Sequence, residues 1–269
     1  MKKMILFAFL LSFQVVCSQS DTFSEVQWFD FSKKGVINIS PLQNNFGKNN
    51  IVIDDDNIKI SGYLGSPLLF DTWVNGTVLF RDGKKYELPN MNYDAVEDHF
   101  IVYIKNLDKN IGDIANKDFP LIGLNDDSII FVSIREDNGF RNFVKILPEH
   151  FNMKPKTVFF EYYSDKPEKA YVLKSYFKKI GDNKLKDVPN SNSLEEYAFI
   201  KYQKYYIKNK DGLYISKNSL SKKKIFQILN DRSKEKDLKK FIKNRKLKMS
   251  RPKDVQLLLS YYYDTLSKK

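Results

Sequence analysis

The chain has a single cysteine, Cys17, and only two histidines, His99 and His150, in its 269 residues. With Cys17 alone no internal disulfide can form, and nothing beyond it can act as a cysteine nucleophile. Two histidines about fifty positions apart fall short of the N and S donors that a zinc or redox-metal site needs. No P-loop, G-x-G-x-x-G, H-E-x-x-H or G-x-S-x-G motif occurs, so no catalytic residue, cofactor site or metal site is expected. Each histidine is expected at the surface or a boundary. Beyond residue 20 no apolar run approaches the roughly 20 residues a membrane helix needs. Acids are scarce at one end: residues 201 to 269 hold 21 Lys or Arg against 6 Asp or Glu, a net +15. The first 200 residues carry −3, so the chain's +12 is a property of its last quarter.

The opening "MKKMILFAFLLSFQVVCSQS" runs from two lysines through an apolar stretch to small polar residues. That is the order of a secretory signal, and it predicts export to the periplasm or the outer membrane. Cleavage is expected after Ser18 or Ser20. Cys17 also admits a lipoprotein reading, less favoured because Val16 precedes it where a small residue is wanted. With 42% hydrophobic residues, 16 Tyr and 21 Phe, the remainder can bury a core without disulfides, as one large domain or two small ones.

Hairpin signals recur along the body. Asp82-Gly83 sits between two short alternating runs, the strongest turn in the chain. "HFIVYIK" reads as the next strand. Asn138-Gly139 repeats the device, a third pair turns through Ser164 to Glu168, and a fourth through Asp211-Gly212. Residues 21 to 61 read as short strands and loops. The period then becomes helical. Lys222 to Asn230 places Ile225, Phe226 and Leu229 on one face, and Lys234 to Lys246 places Leu238, Phe241 and Ile242. A last helix is expected from Ser250 as N-cap and Pro252 in the first turn, through Val255, Leu258, Leu259, Tyr262 and Leu266. The predicted fold is α+β: an antiparallel hairpin meander, as a curled sheet or open barrel, followed by a small basic helical unit. The expected division is a signal over 1–20, a mainly-β body over 21–180, a polar linker or long loop over 181–196, and a hairpin with helices over 197–269.

"GSPLLFDTWVNGTVLFRDGKKYELPNMNYDAVEDHF" and "LKKFIKNRKLKMSRPKDVQLLLSYYYDTL" resemble a family of exported proteins typical of Bacteroidota, to which no activity is attached. The matching points are Gly65-Ser66-Pro67, Gly76, Asp82-Gly83, Tyr93 and Asp98, then the Phe241-Ile242 helix and the closing Leu- and Tyr-rich helix. Ser250, Arg251 and Pro252 depart from the pattern, which carries acids there. The resemblance implies architecture and envelope location and transfers no chemistry.

Two acidic clusters remain. Asp54 to Asp56 lack the spacing and distal Glu of a calcium loop and read as a charged loop. Asp94, Glu97, Asp98 and His99 stand close together; paired carboxylates would suit a hydrolase, but a turn or strand-edge role is the simpler expectation. The tyrosines 197, 202, 205, 206 and 261–263 read mainly as core or half-buried, with sugar stacking or an interface as the alternative. The basic end is either a solvated lysine-rich surface or a contact for an anionic partner: another envelope protein, or a membrane or glycan surface. Nucleic acid is not expected as a partner of an exported chain. On the second reading Lys239, Lys240, Lys243, Arg245, Lys246 and Lys248 are the binding residues, and the protein is a non-enzymatic binding or scaffolding component. The alternatives are a carrier holding an apolar ligand in its curled sheet, and a hydrolase using Asp94, Glu97 and Asp98.

Overall fold

Short alternating runs separated by tight turns produce sheet, and the computed structural model has one large sheet followed by helices. It describes residues 37–39, 46, 50–53, 57–103, 121–124, 129–137, 139–185 and 195–267; the signal segment with Cys17 and the Asp54–Asp56 run lie outside them. In chain order the strands are β1 (Ile37–Ile39), β2 (Ile51–Ile53), β3 (Ile58–Ile60), β4 (Tyr63–Leu64), β5 (Val74–Phe80), β6 (Lys85–Asp94) and β7 (His99–Tyr103). Then come β8 (Leu121–Leu124), β9 (Ile129–Glu136), β10 (Gly139–Lys145), β11 (Phe159–Tyr162), β12 (Val172–Asp182), β13 (Tyr197–Lys208) and β14 (Tyr214–Lys217). Three helices close the chain: α1 (Lys222–Leu229), α2 (Glu235–Asn244) and α3 (Pro252–Tyr261).

The sheet runs β1-β8-β7-β6-β5-β9-β10-β11-β12-β13-β14, antiparallel throughout, with β4 added in parallel beside the start of β13. It curls without closing. All four predicted hairpins are present, as β5–β6, β9–β10, β11–β12 and β13–β14. At the first, Gly83 has φ +82°, the conformation that Asp-Gly supplies at little cost. Of the stretch over 181–196 read as a polar linker or long loop, residues 186–194 lie outside the described residues and residues 181–182 belong to β12. Strands β12 and β13 pair from Val172↔Ile207 to Asp182↔Tyr197, so the sheet passes unbroken from the body to the basic end.

One strand carries an irregularity. β6 continues through Pro89, which a regular ladder would reject because proline has no N–H. The register against β5 shifts there, from Gly76↔Leu88 to Val74↔Met91, and Asn90 takes φ +49°. This bulge bends β6 and lets its second half turn across the concave face. Gly76 lies at the bend. A Cβ on it would stand 2.7 Å from Met91 Sδ, 2.9 Å from Ile134 Cδ1 and 3.0 Å from the Ser133 carbonyl oxygen. Gly76→Ala is therefore expected to cost about 1–3 kcal/mol by overpacking. The urea midpoint should fall with an unchanged slope; an unmoved midpoint would show that the strands part there freely.

Cores lie on both faces of the sheet. The concave face buries Phe70, Phe80, Tyr93, Phe100, Phe143 and Phe159 among aliphatics. On the opposite face of β11 to β13, Phe160, Leu173 and Tyr206 pack against Phe151 and Tyr214. The β2–β3 hairpin covers Ile101 and Leu121. Every residue of β11, Phe-Phe-Glu-Tyr, is buried, because both its faces are covered.

The helices pack on Val172, Tyr205 and Ile207 at the far end of the sheet. Ser221 caps α1 by accepting from the Lys224 N–H at 3.3 Å. The expected Ser250 cap is not formed. Arg251 is the N-cap of α3 and offers no side-chain acceptor, Pro252 opens the helix, and Asp254 instead accepts from the Lys248 N–H at 2.7 Å. Val255, Leu258 and Leu259 are fully buried, each contributing about 1.5–3 kcal/mol. Gln256 fixes the docking angle: its Oε1 accepts from the Tyr171 and Val172 N–H groups at 2.9 and 3.1 Å, and its Nε2 donates to the Lys169 carbonyl at 2.8 Å. No helix among the described residues is long and apolar enough to cross a membrane.

Candidate functional site

The basic helical end is built so that apolar and cationic residues separate. Leu238 is buried, while Phe241, Ile242 and Leu247 pack partly against the same cluster, with Phe241 stacked on Tyr261 at 4.1 Å between centroids. The remaining face points outward. Lys239, Lys240, Lys243, Arg245, Lys246 and Lys248 are all exposed, on α2 and on the turn that follows it. Among the described residues only Lys239 of these has a carboxylate partner, Glu235 one helical turn before it. Arg245 lies 6.0 Å from the Phe241 ring centre. Arg245 ends the helix, and Lys246 takes φ +53°, so the chain turns off the helix axis before Lys248.

The acidic cluster around Asp94 is used differently. The turn between β6 and β7 is wedged between β11 and β12, where those two strands diverge. The Ala95 carbonyl accepts from the Lys178 N–H at 2.7 Å, and Asp98 Oδ2 accepts from the Val158 N–H at 2.6 Å. The Tyr93 hydroxyl donates to the other oxygen of Asp98. Asp94 Oδ1 accepts from the Val96 and Glu97 N–H groups at 2.9 and 3.1 Å, the pattern of an Asx turn. Both carboxylates thus organise backbone. Asp94 and His99 are 0% and 4% exposed, so His99 is neither at the surface nor at a boundary, as was expected from sequence, but buried; it pairs with Asp94 across a strand end. His150 is exposed. Burial pushes Asp94 up to about 7 and Asp98 to about 6, and holds His99 down to about 4. Asp94 Oδ2 and His99 Nε2 are buried without a hydrogen-bond partner.

A third cluster had no sequence signature. On the concave face Arg141 of β10 meets Glu161 of β11: Nε donates to Oε1 at 3.1 Å and Nη2 to Oε2 at 3.3 Å. Nη1 donates to Glu136 at 3.3 Å. Tyr163 and Tyr176 donate their hydroxyls to Glu161 as well. The guanidinium lies over the rings of Phe70 and Tyr176 at 4.9 and 5.0 Å. Burial by itself would lower the Arg141 pKa, but Glu161 and its neighbours outweigh that and raise it. Tyr176 is held well above the usual phenol range by burial and then by Glu161. Farther along the same face, burial lowers Lys178 to about 8.

The tyrosines divide. Tyr205, Tyr206 and Tyr262 are buried, Tyr261 and Tyr263 half-buried, and Tyr197 and Tyr202 exposed. Tyr197 stacks on Tyr63 at 5.6 Å and Tyr202 on Phe177 at 5.4 Å, on opposite faces of the projecting β12–β13 hairpin. Open spaces border several of the described residues. One of about 850 Å³ lies beside Arg141, and two border the helices, at about 630 and 320 Å³. No protein-family model matches the chain, and no curated protein or solved structure matches it.

Proposed function

We propose that this chain is a non-enzymatic binding or scaffolding component of the bacterial cell envelope, exported by its first twenty residues and docking an anionic surface through its basic helical end. The observation that carries this reading is the set of six exposed cations on and after α2, five of them without a carboxylate partner among the described residues. The apolar side of the same helix is buried on the sheet, so the cations are held on a folded surface and do not trail on a tail. A pre-ordered patch loses less side-chain and backbone entropy on binding than a disordered arm would. The resemblance to exported proteins of Bacteroidota supports the envelope assignment. The concave face is filled by the protein's own aromatics, which supports docking over carriage of an apolar ligand. Asp94 and Asp98 are occupied with backbone N–H groups, which supports a binding role over hydrolysis.

Each cation near an anionic lipid surface contributes about 1 kcal/mol. Neutralising Lys243 and Lys246 to alanine should therefore weaken association roughly 30-fold at low salt. Co-sedimentation with phosphatidylglycerol vesicles measures the membrane arm, and pull-down from envelope extract measures the protein arm. Loss in either arm, at an unchanged unfolding midpoint, is the expected result. Unchanged capture in both arms would remove the basic face from the function.

A further inference from the structure

Strands β12 and β13 crowd positive charge onto one face. Their register pairs Lys174 with Tyr205, Tyr176 with Gln203 and Lys178 with Lys201, and alternation along each strand puts all six side chains on the same side. The last pair sets two ammonium groups directly opposite each other, which destabilises a sheet. Lys178 turns away, its Nζ donating to the Ser66 and Leu68 carbonyls. Lys201 makes no hydrogen bond or ion pair among the described residues.

Lys174 is in a similar position. It stands opposite Glu161 in register, where a cross-strand ion pair is expected. Glu161 is already taken by Arg141, Tyr163 and Tyr176, and Lys174 forms no ion pair among the described residues. Its ammonium lies 4.6 Å from the centre of the Tyr176 ring, which Arg141 approaches to 5.0 Å and Lys201 to 5.5 Å. Three cations therefore surround one phenol that is 6% exposed. Burial lowers the Lys174 pKa; Glu161 opposes this, and Arg141 and Lys201 add to it.

Counting Arg141, Lys174 and Lys201 against Glu161 leaves two positive charges around the ring. Glu136 reaches Arg141 from a side chain that is 37% exposed, and Asp71 and Asp137 are exposed beside the open space that Arg141 and Lys201 border; water screens all three. A neutral ligand would leave the excess uncompensated, and a carboxylate would offset half of it. A phosphate group, with a charge of about −1.5 to −2 at neutral pH, matches it.

We propose that this face binds a phosphate group, with Lys174 and Lys201 donating to its oxygens. Both ammonium groups lie against the same ring, so one phosphate reaches them together. Arg141 stays committed to Glu161 and supplies field more than contact. None of the cations of α2 takes part, so this assignment and the docking role of the helical end stand or fall separately.

Calorimetry at constant ionic strength with inorganic phosphate, glycerol 3-phosphate and acetate tests it. Both phosphates should bind saturably, and acetate at least about tenfold more weakly. Lys174→Met keeps the stem over Tyr176, and it and Lys201→Gln should each lower phosphate affinity about tenfold. In chloride alone the double variant should melt no lower than the wild type, because like charges have been removed. Phosphate should then raise the Tm of the wild type only. Co-sedimentation with phosphatidic acid vesicles separates the sources: capture that falls in Lys174→Met/Lys201→Gln marks a lipid headgroup, and capture that does not marks a soluble phosphate. The proposal is overturned if neither soluble phosphate binds by roughly 10 mM, or if acetate binds as tightly. It is equally overturned if the two lysine variants keep full affinity, or if Lys243→Ala/Lys246→Ala lowers it as much as they do. A double variant less stable than the wild type in chloride would show that folding itself requires the two lysines, and would also overturn it.

Discussion

Replacing Glu161 by leucine is expected to destabilise the protein by about 3–5 kcal/mol, the cost of leaving a buried charge without its partner. Glu161 is 7% exposed and holds Arg141 through two hydrogen bonds while accepting from Tyr163 and Tyr176. After the substitution the guanidinium keeps only Glu136, whose side chain is 37% exposed and screened by water. Two phenols lose their acceptor as well. Removing both charges, as Arg141→Met/Glu161→Leu, should recover most of the loss, since a well-packed apolar pair matches a buried ion pair. Denaturant melts of the single and double variants measure this. A double variant as unstable as the single one would mean that shape, and not charge, is what Glu161 supplies.

The stability of the chain should also fall as pH rises from about 4 to 6, by about 1.4 kcal/mol per pH unit. The sign follows from counting protons. Asp94 and Asp98 have folded values raised to about 7 and 6 from 3.8, so in this window the native chain holds two protons that the unfolded chain has released. His99 is lowered to about 4 from 6.5, so the unfolded chain holds one proton that the native chain lacks. The native state is ahead by one, and rising pH works against it. Between 6 and 6.5 Asp94 and His99 cancel; from 6.5 to 7 Asp94 alone lowers stability again. In Asp94→Asn the acid and the histidine offset each other, and the profile from pH 4 to 6 should become flat. A wild-type slope surviving that substitution would place the titrating group elsewhere.

The hairpins could be read from sequence because their determinants are local. Asp82-Gly83 and Asp211-Gly212 specify the turn, and the flanking alternation specifies which face is buried. The helical faces were legible for the same reason, and Ile225, Leu229, Leu238, Val255, Leu258 and Leu259 are all buried as their spacing requires. The passage of β6 through Pro89 has no local signal, because a proline's cost in a ladder depends on whether the partner strand shifts register beside it, and that shift involves β5. His99 misled because nothing near it in the chain reveals that β11 and β12 will close over it. Gln256 carries no local signal of its role, since three of its four hydrogen bonds run to the backbone of Lys169, Tyr171 and Val172, more than eighty positions away, and the fourth to Ser260.

The candidate sites follow the same division. The basic face was visible in composition, since lysines crowd one short stretch and its hydrophobic spacing says which way they point. The cations around Tyr176 were invisible. Arg141, Lys174 and Lys201 stand up to 60 positions apart, and no motif joins them.

From the chain alone came the elements, their approximate ends, the α+β class and the location of the charge. These rest on periodicity, turn chemistry and net charge, each set within a few neighbouring residues. Only the tertiary structure decided the strand order, the bulge that bends β6, and the pairing of Arg141 with Glu161. It also decided which acids are buried and which are exposed. Those outcomes depend on contacts between residues distant in sequence, and their desolvation and packing energies exist only once the sheet has curled.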